Sequence, residues 1–252
     1  MSLIVRASES LHWYRRDGTP QYSVEAAKGG MRATTLRDAR KMNLVPSVTT
    51  ILKCAASPGL EAWKLNQMLL AALTLPRGES ESEESFVARV VLDSKEHAKK
   101  AAERGTRVHT AVEKYYEGKT DEAMIEYQLG VSKVIKDSFG DLKFLPEKSF
   151  GHELGFGGKV DLHAPGVVLD IKSKEFTSST IDKVEAYDEH MMQLAAYRVG
   201  LGMPEARCAN VFASVTEPGL CKVVEWSQED LSRGWTMFES LLKYWQAKNQ
   251  HK

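Results

Sequence analysis

Two consecutive segments, Gly157-Gly158-Lys159-Val160-Asp161-Leu162-His163 and Val167-Val168-Leu169-Asp170-Ile171-Lys172, decide the fold. The first alternates between apolar and polar residues, which is typical of a β-strand with one buried face. The second opens with an apolar run, as in a strand that is buried on both faces. We therefore predict two neighbouring strands, with Asp161 late in one and Asp170 late in the other. Lys172 follows Asp170 by two residues, so strand alternation directs both side chains to one face.

Two carboxylates at the ends of adjacent strands form a site of hard oxygen ligands. Such a site suits Mg²⁺ or Mn²⁺, and the backbone carbonyl of Ile171 could supply a further oxygen. A lysine beside the cation, here Lys172, can position an attacking water and neutralise charge that develops on a phosphate. Phosphodiester hydrolysis is very slow unaided, and a divalent cation lowers the pKa of a water that it binds. The predicted catalytic core is therefore Asp161, Asp170 and Lys172.

The alternative is an ordinary solvated ion pair between Asp170 and Lys172, since Asp-x-Lys triplets occur by chance in most chains. Two features favour the metal site. The apolar residues before Asp170 predict a buried strand, where an unpaired charge is costly. Two glycines precede Asp161 in the neighbouring strand and permit close approach of the backbone.

Two helical segments elsewhere place further polar residues in pairs. His109 and Glu113 are spaced i and i+4, and so are Gln193 and Tyr197, so each pair shares a helix face. His109 could add a nitrogen ligand, which would favour Mn²⁺, and Glu113 is a possible supporting acid. Gln193 and Tyr197 could orient the scissile phosphate or the attacking water. The alternatives are a hydrogen-bonded histidine under the sheet and ordinary polar residues on a helix surface.

From residue 86 onward, the apolar spacing predicts helices and strands in the order α-α-β-β-β-α-β-β-α. Helices are expected at 86–117, with a break near Asp93-Ser94, and at 121–139, 182–201 and 227–246. Strands are expected at 147–153, 157–163, 167–171, 209–216 and 221–226, with turns at 155–158 and 217–219. The fold class is thus α/β (mixed α+β), with a central mixed sheet of about five strands flanked by helices.

The N-terminal part is expected to be a mostly helical lobe with short strands. Residues 11–56 mix extended segments with turns at Asp17-Gly18 and Lys28–Gly30. A helix is expected over 59–75, with Ala62, Leu65, Leu69 and Ala72 at helical spacing. The acidic, polar stretch Gly78–Ser85 is interpreted as a solvated loop between two lobes. We divide the chain into an N-terminal lobe at 1–80, which forms part of the path of the substrate, and a core at 81–252.

Composition sets the class of protein. The 252 residues are 42% hydrophobic and carry 34 basic against 34 acidic side chains, which is ordinary for a globular protein. No apolar run is long enough for a membrane span, and Met1–Arg6 lacks the pattern of a secretory signal. Three scattered cysteines, Cys54, Cys208 and Cys221, support neither a disulfide framework nor an iron–sulfur cluster. We expect a cytoplasmic protein with no membrane association.

Four motifs together resemble those of the RecB-like PD-(D/E)XK nucleases, in the same order along the chain. They are Gly105-Thr106-Arg107-Val108-His109, Gly158-Lys159-Val160-Asp161-Leu162, Leu169-Asp170-Ile171-Lys172 and Gln193-Leu194-Ala195-Ala196-Tyr197. The resemblance implies a restriction-endonuclease-like core. It also implies that the histidine and the two acids bind the metal, that the lysine is catalytic, and that the Q-x-x-x-Y helix lies beside the site.

The pattern departs from the family in two places. The second acid is often glutamate in the family, whereas it is Asp170 here. Many relatives also place a glutamate in a preceding strand, and Glu147 is the candidate, although Glu153 is an alternative. Some relatives bind an iron–sulfur cluster through four cysteines, which this chain cannot do.

The N-terminal part has a second resemblance. Pro46–Leu52 followed by Trp63, together with Thr35–Arg40, is similar to the corresponding part of the mitochondrial genome maintenance exonuclease and of phage exonucleases. This implies a metal-dependent exonuclease that acts on single- or double-stranded DNA ends in phage or prophage recombination or repair. A single-strand annealing protein is a possible partner, and the oligomeric state is left open.

Basic residues in two places are candidate phosphate contacts. They are Arg104 and Arg107 in the long helix, and Arg37, Arg40 and Lys41 near the N-terminus. A solvated charged face is the alternative for the N-terminal group. Three other functions remain open: a structure-specific endonuclease such as a junction resolvase, a non-catalytic DNA-binding module, and a small-molecule phosphoester hydrolase.

Overall fold

The structure, a computed structural model, describes residues 12–252; the segment Met1–Arg6 lies outside the described residues. The N-terminal part contains short strands that pair antiparallel, β1 with β4 and β2 with β3. Its elements are β1 (Trp13–Tyr14), β2 (Ser23–Glu25), β3 (Met31–Ala33), α1 (Leu36–Met42), β4 (Val45–Pro46), α2 (Val48–Leu52) and α3 (Pro58–Thr74). Gly18, Gly29 and Gly30 adopt positive φ angles, which confirms the two turns expected there.

The remaining elements follow the expected order, and the fold class is confirmed. They are α4 (Glu83–Tyr116), α5 (Ile125–Phe139), β5 (Leu145–His152), β6 (Phe156–Ala164), β7 (Val167–Lys174), α6 (Asp188–Gly200), β8 (Arg207–Ser214), β9 (Cys221–Trp226) and α7 (Gln228–Asn249). The sheet has the order β5-β6-β7-β8-β9. Only β7 and β8 are parallel neighbours, and α6 provides the crossover between them.

Two apolar cores hold the sheet between helices. One contains Val108, Ile135, Leu169 and Val211, and packs α4 and α5 against the sheet. The other contains residues of α6 and α7. Residues of the N-terminal part, namely Trp13, Leu44, Val48 and Ile51, belong to this second core. The N-terminal part is therefore fixed to the sheet, while the division of the chain at residue 80 stays a prediction.

Two expectations about α4 were wrong. The helix is unbroken at Asp93-Ser94. The Ser94 hydroxyl donates to the carbonyl oxygen of Val91 at 3.0 Å, so the helix accommodates the hydroxyl without a break. The acidic stretch is only partly a loop, because α4 begins at Glu83. Ser82 caps it by accepting the Ser85 N–H, and the acidic residues of the first turn complement the helix dipole.

Three boundaries also differ from the expected ones. The turn before β6 lies at 153–155, and Gly157 and Gly158 are strand residues. α6 begins at Asp188, and the start expected for it is instead a short 3-10 helix, Ile181–Lys183. The Lys222 ammonium donates to the backbone carbonyls of Ile181 and Val184, both at 3.0 Å, so these carbonyls are not engaged in a continuous α-helix. β7 extends to Lys174.

The apolar stripe expected on α3 faces solvent. Leu65 is 58% and Leu69 is 53% exposed, whereas Ala71, on another face, is buried. α3 therefore contacts α4 through a different face from the one that the spacing of leucines indicated. Among the helices of residues 12–252, none combines the length and hydropathy that crossing a membrane requires.

Candidate active site

The two carboxylates lie where β6 and β7 stop pairing. The last ladder pair is Leu162 with Leu169, so Asp161 and Asp170 come directly after it. The Asp161 Oδ2 accepts the backbone N–H of Ile171 at 2.8 Å, which occupies a donor that the neighbouring strand no longer satisfies. Asp161 lies in the second half of β6, as expected, whereas β7 continues for four residues past Asp170, so the expectation that Asp170 lies late in its strand was wrong. The opening between the strands brings them together.

Asp170 is a buried carboxylate with four donor contacts. Its side chain is 2% exposed. The Lys172 ammonium lies 2.9 Å from Oδ1 and 2.8 Å from Oδ2. Gln193 Nε2 donates to Oδ1 at 2.9 Å, and Asn210 Nδ2 donates to Oδ2 at 2.8 Å. Burial nevertheless raises the pKa of Asp170, because desolvation outweighs the nearby lysine charge.

Gln193 connects Lys172 to Tyr197. Its Oε1 accepts from the Lys172 ammonium at 3.1 Å, and its Nε2 donates to the Tyr197 hydroxyl at 2.9 Å. Both α6 side chains are buried, so they are not ordinary polar residues of a helix surface. Burial, followed by the charges of Asp170 and Asp161, raises the pKa of Tyr197 well above its usual value. The phenol therefore stays protonated.

α4 brings His109 to Asp161. A Cβ atom on Gly105 would lie 3.0 Å from the Ser173 hydroxyl, so the glycine lets the helix approach β7 closely. The His109 Nδ1 lies 3.4 Å from Asp161 Oδ2. Burial alone would lower the pKa of His109, but the bond to Asp161 and its charge outweigh it and raise the pKa. The converse holds for Asp161, where His109 outweighs the effect of burial and lowers the pKa.

A small cavity of about 10 Å³ lies beside Asp161, lined by His109, Glu113, Glu147 and Ile171. This is about the space of one water molecule. Glu147 adopts a φ angle of +52°, a left-handed conformation that costs about 1–3 kcal/mol for a residue other than glycine. Burial, and then the charge of Glu147, raise the pKa of Glu113. The cavity thus concentrates acidic side chains, including both predicted supporting acids.

The donor chemistry of this site fits a small divalent cation, although its present geometry does not complete a binding site. In residues 12–252, no three histidine, cysteine, aspartate or glutamate side chains are arranged to hold a metal ion. The oxygens of Asp170 are engaged by protein donors, and one oxygen of Asp161 is engaged by Ile171. The clustered carboxylates, the raised pKa of Glu113 and the ion-sized cavity nevertheless match hard-cation chemistry. Mg²⁺ or Mn²⁺ therefore stays a prediction.

The candidate phosphate contacts occupy two regions. Arg104 pairs with Glu175, just beyond β7, at 3.3 Å, and Arg107 contacts the sulfur of Met124. The N-terminal group lines an open groove of about 800 Å³ formed by Arg32, Thr35, Arg37, Asp38, Arg40 and Lys41. The described contacts place Arg104 beside the end of β7 and do not connect the groove to the carboxylates.

Sequence reasoning missed Asn210, which is fully buried in β8. Parallel pairing sets it directly beside Asp170, and its Oδ1 accepts the indole N–H of Trp226 at 2.8 Å. The available signal was a lone amide in the apolar run 208–213. Because a buried amide requires partners, that position points to a polar group on a neighbouring strand.

Comparisons with known proteins give distant matches and no assignment of activity. No protein-family model matches the chain, and no curated protein matches it significantly. A provisionally assigned exonuclease from Eubacterium rectale matches at 14% identity and a TM-score of 0.41, over 59% of this chain and 68% of its own. The alkaline exonuclease LHK-Exo from Laribacter hongkongensis matches at 15% identity and a TM-score of 0.34, over 75% and 97%. The complex of LHK-Exo with dAMP matches at 15% identity and a TM-score of 0.37, over 73% of this chain and 88% of its own. These solved structures are exonucleases by name, and the scores are too low to assign a family or an activity to this chain.

Proposed function

We propose that the protein is a metal-dependent DNA nuclease that hydrolyses phosphodiester bonds from DNA ends. The observation that carries the proposal is the joint placement of Asp161, Asp170 and Lys172 at the opening between β6 and β7. His109 bonds to the first carboxylate, and Gln193 bonds to the other two groups. A buried acid beside a half-buried acid and a half-buried lysine is costly for a fold and is typical of sites that carry chemistry.

Each side chain has a role that follows from its contacts. Asp161, Asp170, His109 and the Ile171 carbonyl would hold the divalent cation, with Glu113 and Glu147 as supporting acids. A bound cation would supply Lewis-acid stabilisation of charge on the phosphate. The Lys172 ammonium has donors and no acceptor, so it would orient the attacking water and stabilise negative charge on the phosphate. Gln193 accepts a hydrogen bond from the ammonium and donates one to the Tyr197 hydroxyl. The protonated Tyr197 can in turn donate to the DNA strand.

The biological setting is part of the proposal and comes from the sequence resemblance of Pro46–Leu52 to phage exonucleases. We place the nuclease in phage or prophage recombination or repair, in the cytoplasm of a bacterial host. A single-strand annealing protein is the proposed partner. Arg104 and Arg107 on α4 are the proposed phosphate contacts beside the site. Arg37 and Arg40 would contact phosphates in the open groove that α1 lines.

Digestion of end-labelled linear DNA, beside a covalently closed circle, tests the activity. Single- and double-stranded substrates are incubated with Mg²⁺, Mn²⁺ or EDTA. The native protein is compared with Lys172→Ala and with Lys143→Ala, a matched change at an exposed lysine. We expect loss of linear DNA that EDTA and Lys172→Ala both abolish, with the circle spared and Lys143→Ala fully active.

Other outcomes identify the rival functions. Cleavage of the circle or of branched DNA, without digestion from ends, would indicate a structure-specific endonuclease. DNA binding without cleavage under either metal would contradict catalysis and leave a binding module. Hydrolysis of a small phosphodiester, with neither cleavage nor binding of DNA, would indicate a small-molecule hydrolase.

A further inference from the structure

A stack of aromatic rings lies at the surface where the N-terminal part meets β6. The His12 imidazole stacks on the Tyr22 ring with centroids 4.6 Å apart and planes at 29°. His12 is exposed, and Tyr22 is 37% exposed. The backbone carbonyl of His12 accepts the N–H of Ser47 at 2.9 Å, so the residue that caps α2 fixes the backbone of His12.

A second tyrosine connects this stack to the candidate active site. The hydroxyls of Tyr14 and Tyr22 are 2.6 Å apart. Tyr14 packs on Gly157 of β6, where a Cβ would lie 2.9 Å from the tyrosine Cβ. The next residue, Gly158, is covered by Tyr197, where a Cβ would lie 2.9 Å from Cε1. Gly157 and Gly158 face opposite sides of β6, and Tyr14 lies close enough to Tyr197 to interact with it electrostatically. The ring stack therefore contacts the same stretch of β6 as the tyrosine that bonds Gln193.

Positive charge lies beside the outer ring. The pKa of His12 is lowered by burial and then by the charges of Lys53 and Lys159. The imidazole is therefore uncharged at neutral pH and presents a flat, apolar ring face. Lys159 pairs with Glu147, which lines the cavity next to Asp161. Lys159 thus acts electrostatically on His12 and pairs with an acid at the edge of the cavity.

We infer that His12 and Tyr22 form a stacking platform for an unpaired base of single-stranded DNA, with Lys53 and Lys159 attracting its phosphates. This inference rests on the proposed function, because it assumes that the substrate is DNA. Bases in a duplex are already stacked and paired, so an exposed ring offers them little. An unpaired base gains about 1–3 kcal/mol from an aromatic partner. The site therefore selects a single strand at the entrance to the carboxylates.

Binding of a fluorescently labelled oligothymidine, measured by anisotropy with Ca²⁺ and with EDTA, tests the platform apart from cleavage. A gel run on the same samples establishes that the oligonucleotide stays intact. Native protein is compared with His12→Ala, Tyr22→Ala and His12→Phe. The control is Tyr244→Ala, which removes an aromatic ring that is 54% exposed on α7. Thermal melts of each variant establish that it is folded.

We expect His12→Ala and Tyr22→Ala each to weaken binding about 5- to 100-fold, while His12→Phe and Tyr244→Ala keep the native affinity. An oligonucleotide of abasic residues is expected to bind native protein and His12→Ala equally. A blunt duplex is expected to distinguish them by less than about twofold. Native affinity in folded His12→Ala and Tyr22→Ala proteins would overturn the platform, as would failure of the native protein to bind the oligothymidine. Intact ring-dependent binding without cleavage in Mg²⁺ would refute the nuclease and leave the platform standing.

Discussion

Replacing Asn210 by leucine removes one donor from Asp170 and keeps the branching and the number of heavy atoms of the side chain. The lost bond, from Nδ2 to the Asp170 Oδ2, is 2.8 Å long and fully buried. A hydrogen bond to a charged group contributes about 1.5–3 kcal/mol. The indole N–H of Trp226 also loses its acceptor, which adds less because Trp226 is only partly buried. We expect a net loss of about 2–4 kcal/mol in the free energy of unfolding.

Urea unfolding and calorimetry measure this loss. At about 2–4 °C per kcal/mol for a chain of this size, the melting temperature should fall by roughly 5–15 °C. The matched control is Asn66→Leu on the exposed side of α3, with an expected change within about 0.5 kcal/mol. Nuclease activity of Asn210→Leu should fall at least about tenfold at a temperature where the variant is folded, because misplacing a reacting group by a fraction of an ångström is costly.

A double-mutant cycle with Trp226→Phe isolates the relay from Trp226 through Asn210 to Asp170. If the indole orients the amide, the two substitutions are non-additive by about 0.5–3 kcal/mol. Asn210→Leu with native stability and native activity would refute the reasoning, because Asp170 would then not depend on this donor. Full additivity, with a large loss of unfolding free energy for Asn210→Leu, would show that the bond to Asp170 matters and that Trp226 does not orient the amide.

Three further outcomes are expected. Burial, and then Lys172 and Lys174, lower the pKa of His190 to about 3 from 6.5. As pH falls below 6.5, the unfolded state therefore binds this proton while the folded state does not, and the native protein loses up to about 1.4 kcal/mol of unfolding free energy per pH unit. His190→Gln should make this loss between pH 7 and pH 5 smaller. Gly158→Ala places a Cβ 2.9 Å from the Phe150 and Tyr197 rings and should destabilise the protein by about 1–3 kcal/mol, unlike Gly59→Ala in open space. Mg²⁺ at 100 times its Kd should add about 2.7 kcal/mol to stability, and Asp161→Asn should abolish this in a thermal-shift titration.

Most of the sheet can be predicted from the sequence, because strand periodicity and turn residues are local signals. The apolar run before Asp170 and the alternation around Asp161 predict β6 and β7 directly, and the i, i+4 spacing predicts that Gln193 and Tyr197 share a face of one helix. Periodicity does not predict where two neighbouring strands stop pairing. The opening beyond Leu162 and Leu169 depends on tertiary packing. The prediction from sequence therefore put the carboxylates at strand ends instead of at this opening.

Contacts between distant parts of the chain explain the remaining errors. Asn210 meets Asp170 only through the parallel register of β7 and β8, and nothing local in the sequence specifies that register. In the segment before α6, a lysine of β9 binds backbone carbonyls that a continuous α-helix would engage. His12 stacks on Tyr22 within a segment whose strands are only two or three residues long, too short for a periodic signal.

Three locally unfavourable features meet at the opening between β6 and β7. Asp170 is buried with a raised pKa, Glu147 holds a positive φ angle, and Glu113 faces Glu147 across the cavity with a raised pKa. Apolar packing relieves none of them, because each involves charge or backbone strain. A divalent cation would relieve the two electrostatic ones at once, by offsetting the charge of the clustered acids and restoring low pKa values. The strain at Glu147 then has a physical reason, since it directs a carboxylate to the place where that positive charge would lie.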